Sequence, residues 1–163
     1  MKTLVILTAS LLLAFCSCAP KADIPAEKAS VRAIVDSLKT AWETNNSDIL
    51  ARVFSHSPDN IFFGTDSAEH WIGYEPFIDA QKRSFASIEQ GSQITLRDVV
   101  VGINSGGDAA WVSCLMDQRG KSQGQPFAIT GLRFTAVFEK QNSKWSIVHV
   151  HASVPVSGQA IKY

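Results

Sequence analysis

The chain has no surplus charge of either sign: 15 Lys and Arg stand against 15 Asp and Glu in 163 residues. No basic stripe runs along it, so the electrostatic footprint of a nucleic-acid binder is missing. Cysteine is scarce. Of the three in the chain, Cys16 and Cys18 sit near the N-terminus, and Cys114 stands alone in the region that should fold. A lone cysteine closes no internal loop, so no disulfide framework is implied. Long apolar runs are also lacking. The stretch from Leu4 to Phe15 is the most apolar, and it is too short to span a bilayer as a mature helix. Internal repeats and low-complexity tracts do not occur.

What is present begins with a secretory signal. Lys2 supplies a short basic region ahead of the Leu4–Phe15 apolar stretch. Ordinary cleavage after Ala19 would place Pro20 just past the cut, where proline blocks the protease. The segment resembles instead a bacterial lipoprotein signal, cut before a cysteine that becomes lipidated. Cys18 has small Ser17 before it, whereas Cys16 has bulky Phe15, so Cys18 is the expected lipidation site and Cys16 the alternative. The expected organisation is a signal over 1–17, a tether over 18–25 containing Pro20 and Pro25, a folded domain over 26–158 and a tail over 159–163. The expected location is the bacterial cell envelope, held by the lipid anchor; a plainly secreted protein is the alternative. The mature length suffices for one domain with its own core.

Within the domain, Val31, Ile34, Val35, Leu38 and Trp42 recur at helical spacing, predicting an amphipathic helix from about Ala26 to Thr44. Asn45-Asn46-Ser47-Asp48 ends it and caps a short second helix. Ile61-Phe62-Phe63 reads as a short strand, and Gly64 to Gly73 as a loop or small hairpin. A third helix is predicted from about Glu75 to Ile88. Everything after Gly91 reads as antiparallel strands: 93–103, 109–118, 127–140 and 144–154, with a turn at Asn104–Gly107. Helices first and strands afterwards indicate an α+β fold.

The last strand alternates with period two. Trp145, Ile147, His149 and His151 fall on one face and Val148, Val150 and Ala152 on the other. A hairpin tip at Gln141-Asn142-Ser143 would pair Arg133 with His151 and Thr135 with His149. Val112, Cys114, Met116, Leu132, Phe134 and Ala136 then join the apolar face. Asp117, Arg133, His149 and His151 gather on the other as a candidate hydrogen-bonded cluster. The two histidines, roughly 6–7 Å apart along a strand, could share a metal ion with Asp117. No further ligand stands at suitable spacing, so no metal and no cofactor are expected.

The Lys144–Pro155 strand resembles the last strand of SnoaL-like proteins in the nuclear transport factor 2-like superfamily, and the end of the association domain of calcium/calmodulin-dependent kinases. Phe63-Gly64-Thr65-Asp66-Ser67-Ala68-Glu69-His70-Trp71-Ile72-Gly73-Tyr74 resembles the G-T-D, acidic, W, G segment of SnoaL-like proteins. The resemblance implies a cone: a long first helix packed in a curved antiparallel sheet. It also implies a homodimer through the outer sheet face, which would bury Asp117, Arg133, His149 and His151. Trp71, Tyr74, Phe77, Met116 and Phe134 are the candidate ligand-binding residues, and Asp66, Glu69 and His70 are the candidate acid–base groups at the mouth. The steroid-isomerase-like members use an acidic base with Tyr or Asp donors, and the inner-face positions here carry neither. The leading expectation is a small, largely apolar ligand held in the cone. The alternatives are a cofactor-independent isomerase, cyclase or hydratase, or a purely structural dimerisation module.

Overall fold

The computed structural model describes residues 22–158. The signal segment, Cys16, Cys18 and the tail over 159–163 lie outside the described residues.

Helix α1 spans Ile24–Thr44. It starts where Asp23 accepts a hydrogen bond from Ala26 N–H at 3.2 Å, with a proline in its first turn. It ends at Asn45, which adopts a left-handed conformation at φ 50°. Its buried stripe is Val31, Val35, Leu38 and Ala41. Helix α2, Ser47–Val53, comes directly after because Asn46 caps it, accepting from Asp48 N–H and Ile49 N–H. Strands β1 (Ile61–Phe63) and β2 (His70–Ile72) form a hairpin. It leads into α3, Tyr74–Ser87. Four longer strands complete the chain: β3 (Gln93–Ile103), β4 (Ala109–Ser122), β5 (Gln125–Gln141) and β6 (Lys144–Ser153).

The six strands form one open sheet in the order β2-β1-β6-β5-β4-β3. The helices pack on its concave side, giving the expected α+β cone. One expectation needs correction. The sheet is mixed, because β1 runs parallel to β6. The chain reaches β1 from α2, and Phe54 already bridges Ile147 in parallel before the strand begins.

Three bulges bend the sheet. On β3, Asp98 and Val99 oppose the single Cys114, with Asp98 at φ 53°. On β5, Thr130 and Gly131 oppose Asp117, with Gly131 at φ 70°. On β6, Val148 is the extra residue between Ile147, paired with Phe138, and His149, paired with Val137. Each adds a residue to one strand and deepens the local twist. Each also flips the in–out parity of the residues beyond it on that strand.

The flip on β6 overturns the simple alternation expected there. Trp145 and Ile147 lie in the core at 5% and 0% exposure, alongside Val150, while His149 and His151 face outward. The hairpin tip is the two-residue Asn142-Ser143, both residues at positive φ as a type I′ turn requires. Arg133 therefore stands opposite Ser153, and His151 opposite Thr135.

Burial of Trp145 explains the helix's entry point. Glu27, in the first turn of α1, accepts a 2.7 Å hydrogen bond from Trp145 Nε1–H and another from Lys140 Nζ. The indole N–H is thereby satisfied away from solvent, and α1 is tied to the far hairpin of the sheet. The Lys140 and Trp145 hydrogen bonds hold the Glu27 carboxyl below its ordinary value. A depressed carboxyl contributes stability above its unfolded pKa and loses it as pH falls through the folded one. Glu27→Ala should cost roughly 1–3 kcal/mol near neutral pH by stranding two donors. The deficit should shrink on acidification. Thermal melts from pH 7 downward check this, and a deficit that stays constant into strong acid would refute it.

Candidate functional site

The curved sheet and the helices do not close completely on each other. Between the end of α1, the end of α2, α3 and the inner faces of β4, β5 and β6 lies a cavity of about 410 Å³. That is within the usual range for small-molecule pockets, about 300–1,000 Å³. Phe77 is its aromatic pivot. Its ring lies 4.7 Å from Phe54, 4.2 Å from Phe62 and 5.8 Å from Trp71, centroid to centroid. Across the cavity, Trp42 from α1 meets Phe134 edge-on at 6.1 Å. Met116, Leu132 and Phe134 come from the apolar face of the sheet. Beyond the β5 bulge, the parity change turns Ile129 and Phe127 inward, extending the apolar wall.

Helix α3 presents Phe77, Ala80, Gln81, Ser84 and Ser87 to the cavity, a stripe at helical spacing, and Ile88 follows just past its end. Arg83 joins them at the rim. The far end is sealed by α3 and the β4–β5 hairpin: Ile88 bridges Ser122, and Glu89 N–H donates to Lys121 O. Gln118 lines the cavity too, with its amide donating to buried Ser92 Oγ at 2.9 Å.

Of the residues singled out in the sequence, Trp71, Phe77, Met116 and Phe134 line this cavity, and so does Glu69. Tyr74 does not. It opens α3, is buried, and stacks on His56 with centroids 4.0 Å apart, where desolvation raises its hydroxyl pKa. Asp66 is also outside, accepting from Ala68 N–H at 2.9 Å to close a turn. His70 points the other way and stacks on Phe63 at 4.8 Å.

Glu69 is committed to its own loop. Its Oε2 accepts from Thr65 N–H, from Thr65 Oγ1 at 3.1 Å and from Asp66 N–H at 3.3 Å. Gly64 is required beneath it, since a Cβ there would overlap the glutamate side chain. The carboxylate therefore builds the β1–β2 hairpin while forming part of the cavity wall.

The outer face carries a different constellation from the expected cluster. Asp117 pairs with Arg97, whose Nη2 and Nε donate to its two oxygens at 2.9 and 3.2 Å. Gly131 N–H adds a third bond at 2.8 Å, across the β5 bulge. The Arg97 and Gly131 bonds hold the Asp117 carboxyl below its ordinary value. Arg133 and His151 are not joined to it. His149 Nδ1–H donates to Ile61 O at 2.7 Å, and His151 meets Phe63 edge-on at 5.8 Å.

Across the sheet, the ladder aligns Gly102, Trp111, Val137, His149, Ile61 and Ile72 in one outer row. Trp111 is 51% exposed and lies over Gly102, where any Cβ would collide with its indole. Ile61, Phe63, Ile72, Val100 and Val137 are exposed too. Among the described residues, no group of three His, Cys, Asp or Glu is arranged to hold a metal ion. No helix among them is long and apolar enough to cross a membrane.

This architecture is that of the cystatin-like, nuclear transport factor 2-like class. The chain belongs to the SnoaL-like domain family, whose profile matches residues 31–157. Among solved structures, it is similar to a nuclear transport factor 2-like superfamily protein from Salmonella enterica serovar Typhimurium. That pair has 21% identity and a TM-score of 0.73, covering 86% of this chain and 99% of the other. A proposed dehydratase of the same superfamily from Streptomyces avermitilis gives 18% identity and a TM-score of 0.73, covering 82% and 99%. A proposed calcium/calmodulin-dependent protein kinase II association domain from Xanthomonas campestris gives 22% and 0.67, covering 85% and 96%. Identities this low establish the fold. No curated protein sequence matches the chain.

The bonds to Glu69 give the site a testable structural element. Glu69→Ala leaves three donors without their acceptor and should cost roughly 1–3 kcal/mol. Hydrogen exchange at the Thr65 and Asp66 amides should rise with it. Unchanged melting and unchanged protection would mean that the carboxylate does not hold the hairpin.

Proposed function

We propose that the protein binds a small, largely apolar ligand in the cavity beneath its sheet. The observation that carries this reading is the 410 Å³ space walled by Trp42, Phe54, Trp71, Phe77, Met116 and Phe134. The space opens to solvent at one rim, and the aromatic and aliphatic groups of its wall lack packing partners there, which forfeits dispersion contacts along that wall. Apolar area buried by a ligand would be worth about 25 cal/mol per Å². The catalytic alternative, an isomerase, cyclase or hydratase without cofactor, narrows to Glu69, the one carboxylate among the lining residues. Its Oε2 is already engaged by three donors, which favours binding over proton transfer.

The test uses 1-aminoanthracene, a neutral fluorescent probe. The parent domain should bind it with enhanced emission. Met116→Trp and the milder Ala152→Phe should each lower affinity more than about tenfold by filling the space, while overpacking costs about 1–3 kcal/mol of stability. Equal binding by parent and both folded variants would place the probe elsewhere and defeat the reading.

Two further proposals concern assembly and location. The outer row through Trp111, Val137 and Ile61 is too apolar for free solvent and fits a second copy of the chain, a homodimer through the sheet face. Trp111→Asp should convert a dimer at micromolar concentration to a monomer by sedimentation; a monomeric parent removes the proposal. Lipidation at Cys18 would tether the domain to the bacterial cell envelope. Cys18→Ser should abolish palmitate labelling of the full chain, whereas label that survives there and is lost in Cys16→Ser assigns the anchor to Cys16.

A further inference from the structure

The cavity has two charged lining residues, and they are not equivalent. Glu69 spends its carboxylate on the backbone of its own hairpin. Arg83, on α3, has no such employment. The ion pairs among the described residues join Arg32 to Asp36, Lys39 to Glu43, Lys82 to Asp79, Arg97 to Asp117, Lys121 to Glu89 and Lys140 to Glu27. No carboxylate among the described residues lies within 4.0 Å of Arg83. Even its neighbour Lys82 is turned to Asp79, at 3.8 Å. Arg83 is exposed, so its head stands in water at the rim of an apolar space. Gln81 and Ser84 line the cavity from the same helix, on the stripe beside it.

We infer that the cavity takes an anionic amphiphile: an apolar chain in the aromatic interior and a carboxylate at Arg83. This deepens the proposed ligand-binding reading and rests on it. A carboxylate matches the planar guanidinium fork with two parallel hydrogen bonds. Because the cation sits at the rim, the headgroup keeps part of its hydration while the tail is buried, so no charge is driven into the interior. A neutral apolar ligand gains nothing from the rim, and a cationic one is repelled by it. Glu69 does not share the rim position, since three donors to its Oε2 fix the side chain on the β1–β2 hairpin, an element other than the one that carries Arg83.

The experiment titrates the domain with decanoate, decanol and decyltrimethylammonium, compounds that share an apolar chain and differ in the head. Calorimetry should rank decanoate tightest and decyltrimethylammonium weakest. Arg83→Gln should weaken decanoate about three- to tenfold, to the level of decanol, and leave decanol unchanged; the size reflects an exposed, screened pair. Arg83→Lys should recover part of the loss. Raising salt should weaken decanoate alone. Decanol binding as tightly as decanoate in the parent, or Arg83→Gln leaving decanoate unchanged, overturns the headgroup assignment while the apolar cavity reading stands. If none of the three binds and 1-aminoanthracene also fails, both readings fall together.

Discussion

Everything in this fold depends on making a sheet curve. A flat sheet cannot wrap a 21-residue helix, and its inner face would remain wet on both sides of the contact. The bulges at Asp98–Val99, Thr130–Gly131 and Val148 supply that curvature on three different strands. Each costs a disrupted ladder position, and the structure offsets that cost locally. Asp117 accepts from Gly131 N–H inside the β5 bulge and is steadied by Arg97 from β3. Gly131 and Asp98 absorb the positive φ that the extra residues impose. Glycine does so without a Cβ penalty, and aspartate is among the side chains that tolerate this region best.

Curvature and cavity are two sides of one arrangement. The long helix is pinned at its start, where Glu27 meets Lys140 and Trp145. Near its end, Ser92 N–H donates to Trp42 O, and Asn45 Nδ2 donates to Ile88 O. With both ends fixed, α1 covers one part of the concave face and α3 another. The space between them is bounded by Trp42 and Phe77 and is left open. The binding reading rests on that geometry: the parity change at the β5 bulge aims Phe127 and Ile129 inward and lengthens the cavity's apolar wall.

Much of this was legible in the sequence. The helical stripe of α1, the α+β order and the apolar face of β4 and β5 come from periodicity alone, because burial on one face forces it. The segment from Gly64 to Gly73 was recognisable as a turn-rich element, and Glu69, Trp71 and Phe77 reach the cavity. The bulges were not legible. A single inserted residue leaves alternation intact on each side and only reverses its sense. Lys144–Val154 therefore read as one unbroken pattern, although Ile147 and Val150 both face the core. That parity change moved Trp145 and Ile147 inward and shifted Arg133 away from His151. Tyr74, His70 and Asp66 sit close to the site in sequence, yet tight turns send them to other faces. Trp42 and Arg83 came from elements with no local sign of a site; only the packing of α1 and α3 against the sheet brings them to one space.

The most direct measurement is a crystal structure of the domain under xenon pressure. Xenon enters dry apolar cavities and is readily located. A strong site among Phe77, Met116 and Phe134 is the predicted result, with ordered water confined to the rim beside Arg83 and the polar side chains of α3. A cavity filled by ordered water, or collapsed so that Met116 packs directly on Phe77, would contradict the account.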